Sequence, residues 1–125
     1  MFLDTTIFID YLKANPLAFS QVVGARAHGA VPIHAVVAAE LIAGALNKPE
    51  LRRSMALIST CEMVVPDESD IRRSLVLLEK HALTHGPGWS DCLIAATALR
   101  LRQPVVTSND KHFRAFRGLE VIRPY

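Results

Sequence analysis

From Cys92 to Leu99 the chain reads CLIAATAL, eight residues without a charge, followed by Arg100 and closed by Gln103-Pro104. A helix that is apolar on nearly every side is stable in water only when neighbouring elements cover most of its faces. Proline ends such a helix because it has no backbone N–H to donate. The segment DCLIAATALRLR after Ser90 therefore predicts a helix sandwiched between layers. Short apolar runs with β-branched content, at Met1–Leu3, Val31–Ile33, Met63–Val65, Val105–Val106 and Val121–Ile122, predict five strands. Helical patterns fill the gaps. The clearest spans Asp67 to Leu83, with Ile71, Leu75, Leu78 and Ala82 at the spacing of one face and Asp67 or Ser69 as its cap. Others run from Ala35 to Leu46, Pro49 to Ile58, Thr6 to Lys13 and Leu17 to Ala27. Strands alternating with helices predict an α/β fold with a mostly parallel sheet, because parallel strands need helical crossovers. The HGPGW cluster at residues 85–89 reads as a turn between two helices.

At 125 residues, half of them apolar, the whole chain 1–125 is expected to form one domain with a core that needs no disulfide or metal staple. Cys61 and Cys92 lie among apolar neighbours and read as small core residues. A net charge of +2 excludes a general polycationic coat, so any charge signal is local. No apolar run reaches the roughly 18 residues that span a bilayer. The opening MFLDTTIFIDYLK carries acids where a secretory leader needs basic and then apolar residues, and a cytoplasmic location without membrane attachment is expected.

Ligands of such sheets bind beyond the carboxyl ends of the strands. Asp4 directly follows the first predicted strand, and Thr107, Ser108, Asn109 and Asp110 follow the fourth. Glu40 interrupts the apolar segment VVAAELIAGA, which leaves it little exposed face, and Asp91 opens the apolar helix, where the helix dipole favours an anion. If Asp4, Glu40, Asp91 and Asp110 converge, their mutual repulsion calls for a divalent cation. Oxygen ligation suits Mg²⁺ or Mn²⁺, and the Cys and His spacing of a zinc site is missing. His81 and His85 are four apart but lack the Glu of HExxH, and they read as solvated surface residues. Taken singly, the acids have plainer explanations: Asp4 as a helix cap, Glu40 as an ion-pair partner and Asp91 as an ordinary helix start.

The segments LDTTIFIDYL, AELIAGA, WSDCLIAATALRLRQPVVTSND and HFRAFRGLEVIRPY together resemble the PIN-domain ribonucleases, and most closely the VapC-type toxins of bacterial toxin–antitoxin pairs. The resemblance covers both ends and much of the middle, in the family's order. It implies a five-stranded parallel sheet flanked by helices, and hydrolysis of RNA, with transfer RNA ahead of ribosomal RNA, by a metal-activated water. It carries Asp4, Glu40 and Asp91 over as metal-binding acids, with Asp110 as the fourth and Asn109 as a neutral ligand or water-holder. Thr5, Ser90 and Thr107 would position acids or phosphate. Lys111, Arg114 and Arg117 would grip the RNA backbone, and His112 stands where some members place an acid. The resemblance also implies a homodimer and a VapB-like antitoxin that masks the acidic pocket. The apolar stripes Ile71–Leu75–Leu78 and Leu51–Met55–Ile58 are read mainly as core. Two other functions compete: a PIN-fold scaffold without catalysis, and a receiver-like phosphoacceptor. The receiver reading is weakened because Asp67 falls late after its strand and paired acids after the first strand are missing. DTTIF lacks the second Asp of a DxDx[TV] phosphatase, and HGPGWSD lacks the Lys and glycine spacing of a P-loop.

Overall fold

The chain alternates strand and helix throughout, in a computed structural model that describes residues 1–84 and 86–125. In chain order the elements are β1 (Phe2–Leu3), α1 (Thr5–Leu12), α2 (Pro16–Arg26), β2 (Pro32–His34), α3 (Ala35–Ala43), α4 (Lys48–Ser59), β3 (Glu62–Val64), α5 (Glu68–His81), α6 (Trp89–Leu101), β4 (Val105–Val106), α7 (Asp110–Phe113) and β5 (Val121–Ile122). All five expected strands form, each only two or three residues long. They pair in parallel, as β1–β4–β5 and as β2–β3, and β1 lies against β2. The expected α/β architecture is thus present, with the hydrogen-bonded ladder divided into a three-stranded and a two-stranded part. α7, a single turn, was not foreshadowed by periodicity, because four residues are too few to show one.

Local chemistry explains the helix starts. Asn15 and Asn47 accept hydrogen bonds from the first turns of α2 and α4, each of which has proline in its first turn. Asp67 and Asp70 form a reciprocal capping box at α5. α6 is buried as its composition requires, with Cys92 through Ala98 enclosed. Ile94 is fully buried, and removing such a side chain from water contributes about 1.5–3 kcal/mol. α6 ends at Arg102, whose left-handed backbone (φ 53°) turns the chain back toward β4.

α5 departs from its sequence pattern. The stripe read as core is only partly so: Leu78 packs on the core, while Ile71 and Ala82 are exposed and Leu75 is 55% exposed. Asp70 and Ser74 are buried in their place. The reason is that Asp70 pairs with Arg100 of α6 while Ser74 receives the indole N–H of Trp89, so polar pairing sets the helix's rotation. Leu51 and Met55 of α4 are likewise exposed, and Ile58 is half-buried. His81 is half-buried edge-on against Phe116, and His85 lies outside the described residues. Cys92 is buried and Cys61 half-buried, both as free thiols. Among the described residues no helix is long and apolar enough to cross a membrane.

Candidate active site

Asp4 stands where β1 gives way to α1, its backbone N–H bonded to Val106 O at 2.9 Å, so the parallel pairing of β1 with β4 brings it beside Thr107. It occupies the cap position of α1, but its carboxylate caps nothing. Oδ2 accepts instead from the hydroxyls of Thr107 at 2.8 Å and Thr6 at 3.2 Å. Those hydroxyl oxygens accept from the backbone N–H groups of Asn109 at 2.9 Å and Ser108 at 3.2 Å. With the oxygens occupied as acceptors, each O–H is free to point at Asp4. Asp4 is held this way at only 5% exposure.

Glu40 projects from α3 and Asp91 from the first turn of α6 toward the same region. Glu40 is exposed rather than enclosed by its apolar neighbours, because α3 turns Val37, Ala38 and Leu41 inward and leaves Ala39, Glu40 and Ile42 outside. Its Oε1 accepts from the Thr5 hydroxyl at 3.0 Å. Asp91 is half-buried, and its Oδ2 lies 3.1 Å from His112 Nδ1. Loss of solvent pushes the Glu40 carboxyl above its ordinary range against the Thr5 hydrogen bond, with the charges of Asp4 and Asp91 adding to the rise. Loss of solvent, then the charge of Asp4, raises Asp91 despite the opposing contact with His112. Glu40 thus responds to the charges of Asp4 and Asp91, and Asp91 to that of Asp4. Among the described residues no three His, Cys, Asp or Glu side chains are yet gathered as the ligands of one ion, in keeping with groups of like charge that repel.

Asp110 does not join these three. Its Oδ2 accepts from Arg114 Nε at 3.0 Å and its Oδ1 from Arg123 NH1 at 2.9 Å, and these two guanidinium groups hold its carboxyl below the usual range. Asn109 lies nearer: its Nδ2 is 3.0 Å from His112 Nδ1. Ser90 is half-buried in the first turn of α6. Lys111, Arg114 and Arg117 are exposed on and after α7, with Arg114 engaged by Asp110. Sequence reasoning missed Thr6, whose only signal is the Thr-Thr pair after β1. The contact of His112 with Asn109 had one local signal, their i, i+3 spacing. Beside Glu40 a groove of about 310 Å³ opens between α1, α3 and α4, lined in part by Ile9, Leu12, Leu41 and Leu46.

A family model described as the PIN domain matches residues 1–119. Among solved structures, a chain of a toxin-antitoxin complex from Klebsiella pneumoniae is 25% identical, with 99% of this chain and 97% of that one covered and a TM-score of 0.77. A chain of the DNA-bound VapBC complex from Salmonella typhimurium is 23% identical over 99% and 97%, with a TM-score of 0.79. One of FitAcB from Neisseria gonorrhoeae is 22% identical over 98% and 96%, at 0.76. The last two speak for the fold alone. No curated protein sequence matches the chain at a significant level.

Proposed function

The chain belongs to the PIN domain family, and from that premise we propose that it is a Mg²⁺- or Mn²⁺-dependent endoribonuclease toxin that hydrolyses RNA phosphodiester bonds and is restrained by a cognate antitoxin. What supports this reading is the electrostatic coupling of three carboxylates from separate elements: Glu40 is pushed up by partial desolvation and then by the charges of Asp4 and Asp91, and Asp91 by desolvation and then by the charge of Asp4. A divalent cation fits there because the donors are carboxylate oxygens with uncompensated charge. When bound, it lowers the pKa of a water and stabilises charge on the attacking and leaving oxygens.

The protein's own residues prepare that chemistry. The Thr6 and Thr107 hydroxyls fix the Asp4 carboxylate so that little reorganisation is left for the reaction. Thr5 aims Glu40 inward from an exposed position, and Asp91 borrows the positive end of α6. Ser90, next to Asp91 in sequence, and Asn109, beside His112, would orient phosphate or water. Lys111, Arg114 and Arg117 offer a local basic strip for the RNA backbone, and Asp110 serves to hold Arg114 and Arg123 in place. If the strip grips phosphate, Arg114→Ala combined with Arg117→Ala flattens the plot of log affinity against log salt by about 1–2 units.

A transfer or ribosomal RNA substrate implies a cytoplasmic site of action. The apolar groove that opens onto Glu40 suits an antitoxin segment that would mask the acids, and a homodimer is proposed on the family resemblance.

Total bacterial RNA incubated with the protein in Mg²⁺ or Mn²⁺ tests the central claim. Cuts leaving 5′-phosphate ends are expected, abolished by a chelator and by Asp4→Ala. One observation favours a second reading, a PIN-fold scaffold without catalysis: the fourth expected acid, Asp110, is consumed by two arginines. A folded protein that binds RNA but leaves it whole in either metal would decide for the scaffold.

A further inference from the structure

An imidazole, that of His112, stands beside Asp91. We propose that His112 is a direct cation ligand through Nδ1, and that it makes this site prefer Mn²⁺ over Mg²⁺. The inference rests on the metal-dependent reading given above and specifies which cation that site selects.

His112 Nδ1 stands 3.1 Å from Asp91 Oδ2. Two ligands at right angles on one octahedral ion, each about 2.1–2.2 Å from it, are about 3.0–3.1 Å apart. These two atoms already have that spacing. The contacts of Nδ1 also conflict with one another. Asn109 Nδ2, an amide donor, lies 3.0 Å from the same nitrogen that faces the Asp91 carboxylate, an acceptor. If Nδ1 carries a hydrogen, it satisfies Asp91 and confronts the amide N–H. If Nδ1 is bare, it accepts from Asn109 and confronts the carboxylate lone pairs. A cation between Nδ1 and Oδ2 satisfies both of those atoms at once, and the Asn109 amide, turned end for end, then presents an oxygen to the site.

α7 supplies the rigidity that a ligand needs. Phe113, the next residue, is fully buried against Phe116, and Asp110 at the start of the turn is tied to Arg114 and to Arg123 beyond β5. The ion pairs that remove Asp110 from the mouth therefore brace the turn that brings His112 into it. An imidazole nitrogen is a softer donor than a carboxylate: Mg²⁺ takes oxygen almost to exclusion, whereas Mn²⁺, the first member of the transition-metal affinity series, tolerates one nitrogen among oxygens better than Mg²⁺ does.

Mn²⁺ and Mg²⁺ titrated by calorimetry into the whole protein and into Asp91→Asn, His112→Gln and His112→Asp variants, with pulsed electron paramagnetic resonance of the Mn²⁺ forms, test this without any assay of cleavage. The parent is expected to show nitrogen modulation from a directly bound imidazole, and His112→Gln to lose it. His112→Asp is expected to lower the preference for Mn²⁺ over Mg²⁺ by about tenfold or more, the scale on which ligand-shell changes act. Mn²⁺ binding that needs Asp91 but shows no nitrogen coupling, or a metal preference unchanged in both His112 variants, would overturn the proposal and leave the carboxylate site standing. Mn²⁺ binding indifferent to Asp91→Asn would overturn both.

Discussion

α3 and α6 each contribute to two polar clusters, and the clusters are built on opposite terms. In the interior, His34 at the start of α3 accepts the Val36 N–H on Nδ1 at 3.1 Å, so its Nε2 carries the proton and donates to Thr97 of α6 at 3.0 Å. The Thr97 hydroxyl in turn donates a hydrogen bond to Asp70 Oδ2 at 3.1 Å, and Arg100 grips both Asp70 oxygens at 2.8 and 2.9 Å. Positive and negative charge cancel within the chain, and among the described residues no buried side-chain polar atom lacks a partner. At the mouth, Glu40 on α3 and Asp91 on α6 sense the charge of Asp4, and among the described residues no lysine or arginine pairs with any of the three carboxylates. Polar groups that serve architecture are paired inside the fold. Those at the mouth carry charge that the chain's own cations do not balance, which is what the proposed metal site would use.

Breaking the interior chain should have the largest effect on stability. Asp70, at 1% exposure, meets opposing influences: burial works to raise its pKa, while Arg100, the Asp67 backbone and Thr97 hold it low. Asp70→Asn removes the charge that Arg100 and the α5 cap both need, and should cost about 3 kcal/mol, at the lower end of what breaking a buried pair costs because Arg100 is partly in water. Urea midpoints of the two proteins measure it, and equal midpoints would show that the chain is ornamental.

Next in size is a pH effect. Burial lowers His34 from 6.5 to about 4, against the charge of Asp70. Because its folded pKa is the lower one, stability is complete above about pH 6.5 and is lost as pH falls toward 4, by about 3 kcal/mol in all. Glu40 and Asp91 act in the opposite sense, since their raised folded pKa values mean that acid relieves the mouth. Denaturant unfolding at stepped pH should therefore show a flattened acid limb in His34→Gln and a steeper one in Glu40→Gln with Asp91→Asn.

Glu40→Gln alone should have the smallest effect on the metal-free fold, raising its Tm by about a degree by relieving repulsion at an exposed group. The same change should weaken Mn²⁺ binding by about tenfold or more. A Tm that drops, or an affinity that stays, would place Glu40 among the architectural groups instead.

Much of the fold was legible because it is written in composition. The five strands and the enclosed middle of α6, Cys92 to Ala98, follow from apolar runs too short or too pure to be anything else. α5 was misread in its rotation because periodicity weighs apolar residues, whereas Asp70 and Ser74 decide which face turns inward. The same blindness hid His34: nothing local distinguishes a histidine that caps a helix and bonds to a threonine 63 positions away. The place of Asp4 directly after β1 was visible. The assignment of Asp110 was not, because the competing arginine at 123 comes from beyond β5 and neighbours it only in three dimensions.

The clasp on Asp4 has a consequence for the order of events during folding. Thr107 is 103 residues from the carboxylate it holds, and the strand that pairs with β1 is β4, so loop closure must span most of the chain before the first acid is seated. Contacts of such long sequence separation form late. A nascent chain still without β4 has Asp4 but nothing to orient it. On the reading proposed above, the acidic mouth is thus among the last features to mature, since it waits for β4 to be made and paired with β1.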